Sequence, residues 1–120
     1  MCGLAGATAS GEQPRVHAAL NALVHRGPDG EGCWSDPAGG VTLGVRRLIT
    51  TDPGAAANQP LISPDGRFVL AFNGYIAGHR RRILSLREKG SVVESDSDAA
   101  LVLAVLGNAL RDGCDPAKPL

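Results

Sequence analysis

Cys2-Gly3-Leu4-Ala5-Gly6-Ala7 opens the chain with an unbroken run of small and apolar residues. Such a run reads as a short buried strand whose small side chains allow close approach. The period then changes. Ser10 with Gln13 three residues on makes a capping-box pattern, and Val16, Leu20, Leu23 and Val24 recur at helical spacing, which predicts a helix. Pro14 falls in its first turn, where a missing N–H does little harm. Next comes the polar loop His25-Arg26-Gly27-Pro28-Asp29-Gly30, followed by short strands around Gly32–Trp34 and Val41–Leu48. A long connection runs from Asp52 to Pro60. Ser63-Pro64-Asp65-Gly66 then reads as a hairpin turn leading into Phe68-Val69-Leu70-Ala71-Phe72. Asn73-Gly74, a pair able to take left-handed or strained backbone, stops that run.

A second helix is predicted over 77–89, ended by Gly90. A third is predicted to start near Ser95, with Asp98 completing another capping box. It carries Val102, Val105, Leu106 and Ala109 on one stripe and stops at Gly113. The order β, α, several β, α, α suits an α+β layer fold better than a doubly wound one. No internal repeat or domain boundary is visible, so residues 1–113 read as one domain. Residues 114–120 lack a packing pattern and are expected to form a loose tail.

Composition narrows the function classes. The 120 residues hold 12 Lys+Arg against 12 Asp+Glu, so there is no basic footprint for nucleic acid and no acidic excess typical of disorder. With 43% hydrophobic residues but only Trp34, Phe68, Phe72 and Tyr75 as aromatics, the core must lean on Ala, Val, Leu and Ile. Three cysteines without a CxxC pair are neither a disulfide framework nor a zinc knuckle. Met1–Gly6 lacks the basic start and long apolar stretch of a secretory signal, and Ala99–Leu106 is too short to cross a bilayer. No membrane contact is expected, and a reducing cytoplasm is the expected location.

Residue 2 carries the sharpest chemical signal. Methionine aminopeptidase removes Met1 when the next side chain is small, which would leave Cys2 with a thiol and a free α-amine. That amine, with a pKa near 8, can act as base for its own side chain, directly or through water. The thiolate is the nucleophile. The plainer alternative is a small buried hydrophobe at a strand start.

The rest of the chain decides between them. Cys2-Gly3-Leu4-Ala5-Gly6 is followed by His25-Arg26-Gly27-Pro28-Asp29-Gly30-Glu31-Gly32, then by Gly44-Val45-Arg46-Arg47-Leu48 with Asp52. After these come Gln59-Pro60, Phe72-Asn73-Gly74-Tyr75-Ile76 with His79, and Ser95-Asp96-Ser97-Asp98. In this order the motifs resemble the class II (N-terminal-nucleophile) glutamine amidotransferases, above all the glutaminase domain of asparagine synthetase-like enzymes. Alone, Asn73-Gly74 is a common turn dipeptide, Asp96 an ordinary helix-start residue and Arg47 a strand-surface charge; the set is not bland.

The resemblance implies an αββα sandwich of the Ntn-hydrolase type, of which this chain holds the N-terminal part, since family members continue with further strands and a synthetase domain. It implies that Cys2 attacks the side-chain amide of L-glutamine to give a γ-glutamyl thioester. By the same resemblance Arg47 clamps the substrate α-carboxylate, Asn73 and Gly74 form the oxyanion hole, and Asp96 pairs with the α-ammonium. Position 75 departs from the pattern, with uncharged Tyr75 where the family has Glu beside the ammonium. Losing that partner costs about 1.5–3 kcal/mol of binding.

Two functions follow from this reading. The first is a glutaminase needing no cofactor or metal, which supplies ammonia to an ATP-using synthetase domain or chain. The second is a truncated, non-catalytic relative that binds glutamine or a protein. His79-Arg80-Arg81-Arg82 reads as a solvated helix face, His17, His25 and His79 as ordinary polar or packing residues, and Cys33 and Cys114 as free thiols. Sheet surface left open by missing strands predicts association.

Overall fold

The small residues of the opening run do form a strand, and they do so because a larger strand can lie closely against them. In the computed structural model, which describes residues 1–113, β1 (Gly3–Ala7) pairs antiparallel with β3 (Thr42–Arg47). On its other side β3 pairs antiparallel with β2 (Gly30–Ser35), giving the order β1-β3-β2. Ala5 and Cys33 both lie opposite Gly44, the point at which α1 (Gln13–Ala22) crosses the sheet. A Cβ at Gly44 would stand 2.7 Å from both Leu20 Cδ1 and Val16 Cγ1, so the missing side chain is what lets the helix settle. Val16 and Leu20 are buried there, while Val45 points to the opposite face and is also buried.

The start of α1 differs from the capping-box expectation. Its N-cap is Glu12, whose carbonyl accepts from Arg15 and Val16 N–H, and Ser10 makes no cap. Pro14 does sit in the first turn. Val24 lies beyond the helix end and is exposed rather than part of the buried stripe.

The Ser63–Gly66 turn forms as expected, with the Ser63 carbonyl accepting from Gly66 N–H at 2.8 Å. It joins β4 (Leu61–Ile62) to β5 (Val69–Leu70), paired Leu61 to Leu70 and Ile62 to Val69. The strand is shorter than the apolar run around it. Phe72 N–H leaves the ladder and donates to Gln59 Oε1 at 2.6 Å.

The second helix, α2 (His79–Glu88), begins two residues later than predicted because left-handed Gly78 (φ +70) interrupts the turn before it. It ends on a Schellman motif at Gly90, where Ser91 N–H reaches the Leu86 carbonyl and Gly90 N–H the Arg87 carbonyl. The third helix, α3 (Asp98–Arg111), is capped by Ser97, whose Oγ accepts from Ala100 N–H, rather than by Ser95. Its buried face is also different. Asp98, Ala99, Ala100, Leu101 and Gly107 face inward, while Val105 and Leu106 of the expected stripe are exposed.

Two antiparallel sheets and three helices make an α+β architecture, as predicted. Its apolar interior comes in two parts, α1 on the first sheet and a cluster of Ile83, Val93, Ala100 and Leu101 between α2 and α3. Among the described residues no helix is long and apolar enough to cross a membrane. The expected tail over 114–120, with Cys114, lies outside the described residues.

Candidate active site

The end of β3 brings the first two candidate groups together. Gly3 is paired with Arg46, so Cys2, one residue earlier, falls opposite Arg47. Cys2 Sγ accepts a hydrogen bond from Leu48 N–H at 3.3 Å, with the Leu48 carbonyl 3.7 Å away. Cys33 has its thiol pushed up, first by burial and then by the charge of Glu31.

Arg47 is buried and its guanidinium organises the loop that follows. It donates through Nη2 to the Asp52 carbonyl, and through Nη1 to the Gly54 carbonyl at 3.3 Å and Asn58 Oδ1 at 2.5 Å. All three acceptors are neutral, and no carboxylate among the described residues is ion-paired with Arg47. The nearest carboxylate with which it interacts through space is that of Asp52. The Asp52 carboxyl is held below the usual carboxylate range, first by Gly54 N–H, then by Asp96 N–H, with Arg47 adding to both.

The Asn73–Gly74 pair follows β5 in the segment steered by the Phe72–Gln59 bond. A Cβ at Gly74 would lie 2.6 Å from Phe72 Cζ, so a side chain there would have to push the ring aside. The Asn73 amide makes no hydrogen bond among the described residues. Tyr75 is 75% exposed, with its ring edge-on to His79 at 6.4 Å between centroids. His79 is buried, in keeping with a packing role and not with the solvated face of the basic run, whereas Arg80, Arg81 and Arg82 are exposed as expected.

One cavity of about 360 Å³ gathers Cys2, Arg47, Asn73, Gly74 and Tyr75 along its wall. Asp96, the remaining expected site residue, does not line it. Its carboxylate lies 2.9 Å from Arg87 Nη1, with its side chain 54% exposed. The carboxylate that lines the cavity is Asp98, read from the sequence only as a cap partner. Gln59, which also lines it, is a second residue whose positioning role the sequence left unread. No group of three His, Cys, Asp or Glu suited to a metal ion occurs among the described residues.

Comparison with known proteins adds an independent line. The family described as "Glutamine amidotransferase domain" matches residues 1–114. Asparagine synthetase [glutamine-hydrolyzing] 1 of Bacillus subtilis is 32% identical over 111 residues, 87% of this chain and 17% of that protein. Amidase chry2 of Gibberella zeae is 30% identical over 90 residues, 75% of this chain and 13% of that protein. The chain thus spans less than a fifth of the length of these curated relatives. No solved structure gives a significant match.

Proposed function

This chain belongs to the glutamine amidotransferase domain family, in its asparagine synthetase-like branch, and on that premise we propose that it hydrolyses L-glutamine at Cys2. Removal of Met1 frees the Cys2 α-amine. The amine takes the thiol proton, and Sγ attacks the γ-carbonyl carbon of glutamine. Negative charge then collects on the carbonyl oxygen, where the Asn73 amide and Gly74 N–H stabilise it. As the tetrahedral species collapses, the C–N bond breaks and the amine returns its proton to the leaving nitrogen as ammonia. Water then attacks the γ-glutamyl thioester, giving glutamate and restoring the thiol.

Arg47 holds the α-carboxylate, and a carboxylate from the Ser95–Asp98 stretch holds the α-ammonium. The reaction needs no cofactor or metal. The fold is the N-terminal part of an Ntn-type αββα sandwich, and the ammonia passes to an ATP-using synthetase domain or chain that amidates an activated carboxylate. The observation supporting this most strongly is that Cys2, Arg47 and Asn73–Gly74, far apart in sequence, border one cavity.

Tyr75 favours a second reading, a relative that binds glutamine without turnover, because an exposed phenol stands where the family has a carboxylate. Intact-mass spectrometry before and after treatment with an electrophilic glutamine analogue separates the two. Loss of Met1 and one adduct on Cys2 are expected, with Cys2→Ala abolishing both adduct and glutaminase activity. Cys33→Ala leaves them intact, since burial keeps that thiol protonated. A processed chain that binds glutamine yet stays unlabelled establishes the non-catalytic reading instead.

A further inference from the structure

We propose that Gln59, seated on β2 at Gly32, is the positioning residue that holds Asn73 and Gly74 in place on the wall beside Cys2; this rests on the glutaminase reading and deepens it. Two motifs of the sequence, His25–Gly32 and Gln59-Pro60, supply no reacting group, and the fold joins them. Gly32 ends the first motif and lies in β2 opposite Val45. A Cβ there would fall on the Gln59 carbonyl oxygen and stand 3.3 Å from Pro60 Cδ. The bare glycine lets the Gln59 main chain rest directly on the first sheet.

From that seat the Gln59 side chain reaches the segment after β5. Its Oε1 accepts from Phe72 N–H at 2.6 Å, and since a main-chain N–H can only donate, the amide oxygen is the end that faces it. β5 ends at Leu70, and among the described residues this is the one hydrogen bond that residues 71–75 make. The next tie, Ile76 N–H to Asp98 Oδ1, comes after the Asn73–Gly74 pair. Phe72 passes the restraint on twice. It precedes Asn73 in the chain, and its ring stands against Gly74, where a Cβ would lie 2.6 Å from Cζ.

The residue before it extends the link, because Asn58 Oδ1 accepts from Arg47 Nη1 at 2.5 Å. Asn58 and Gln59 thus connect the guanidinium to the oxyanion donors of the same cavity. Such donors act only when already fixed where charge develops. Backbone released at Phe72 has to be ordered during reaction, a penalty that falls on the transition state and not on binding of the planar amide. Gln59 acts through Phe72, so its effect belongs in kcat.

The test is steady-state hydrolysis of L-glutamine by the full chain, together with inhibition by the γ-aldehyde analogue of glutamine and by glutamate. Cys2 Sγ adds to the aldehyde carbon, the C=O π pair moves to oxygen, and the thiol proton ends on that oxygen. This adduct calls on the oxyanion donors; glutamate does not form it. Gln59→Leu keeps the bulk but offers no acceptor. It is expected to lower kcat about tenfold, the contribution of one hydrogen bond, and to weaken aldehyde inhibition by a similar factor. KM for glutamine and Ki for glutamate stay at the parent values, a split that general damage to the fold does not produce. Gln59→Glu, which keeps an acceptor for Phe72 N–H, retains kcat. Gln59→Asn, a methylene too short to reach, reproduces the loss and carries the test if Gln59→Leu fails to fold. Unchanged kcat and aldehyde inhibition in Gln59→Leu overturn the assignment, as does a raised KM with kcat intact, or a loss in Gln59→Glu equal to that in Gln59→Leu. Each of these leaves the glutaminase reading standing. A parent protein inert toward glutamine and unmoved by the aldehyde overturns both.

Discussion

Gly44 shows how much a single side chain decides here. It faces α1 from the middle of β3, and the two contacts a Cβ would meet at 2.7 Å belong to buried Val16 and Leu20. Gly44→Ala is therefore an overpacking change, expected to cost about 1–3 kcal/mol. Differential scanning calorimetry should show the melting temperature fall by several degrees; an unchanged Tm would mean that α1 can ride outward freely. Tyr75 is the opposite case, a residue with space around it and no charge where charge is useful. Tyr75→Glu places a second carboxylate at the cavity rim. KM for glutamine is expected to fall about tenfold, the worth of one charge-assisted contact, and an unchanged or higher KM refutes the ammonium argument at this position.

Elements set which of these residues can act. Cys2, Arg47 and the Asn73–Gly74 pair were singled out by the order of the motifs and the resemblance those motifs carry, each being unremarkable alone, and the fold brings them to the wall of one cavity. The choice between Asp96 and Asp98 was not legible. It depends on the residue at which α3 starts, and moving that start from Ser95 to Ser97 turns a given side chain by about 200° about the axis. The buried face of α3 was hidden for another reason: Ala99, Ala100 and Gly107 carry it, and small residues leave little trace in an apolar pattern. The loop from Asp52 to Asn58 is the element that joins the two halves of the site. Asp52 receives Gly54 N–H and Asp96 N–H on its carboxylate, and gives its carbonyl to Arg47. Its folded pKa is depressed below the unfolded value, so its contribution to stability is complete above about pH 4 and is lost as pH falls through the folded value. Asp52→Asn should lower stability at neutral pH and flatten the acid limb of a Tm-against-pH profile. Parallel acid limbs in variant and parent would remove this loop from the account.

At the scale of the molecule, the two apolar clusters are small. Leu20, Ile83 and Val45 are the largest side chains fully withdrawn from water. The radius of gyration is 14.6 Å, where a compact chain of this length has about 13.6 Å. Apolar surface stays open in consequence. Leu4 on edge strand β1 is 42% exposed, and Val105 and Leu106 (38% and 40%) border a groove of about 420 Å³ with Ile76, Leu86, Leu101 and Val102. The α+β class was readable because it needs only the order of elements, but this openness was not, since it depends on which faces find partners. Exposed sheet edges and apolar grooves recruit other surfaces. We therefore expect self-association of the isolated chain, growing with concentration in multi-angle light scattering. Val105→Glu combined with Leu106→Lys should shift that equilibrium toward monomer without touching the cavity beside Cys2, so Cys2 labelling stays at the parent rate. A monodisperse monomer across the concentration range would show that these faces are tolerated in water. An associating double variant would instead move the contact to the open edge and face around Leu4.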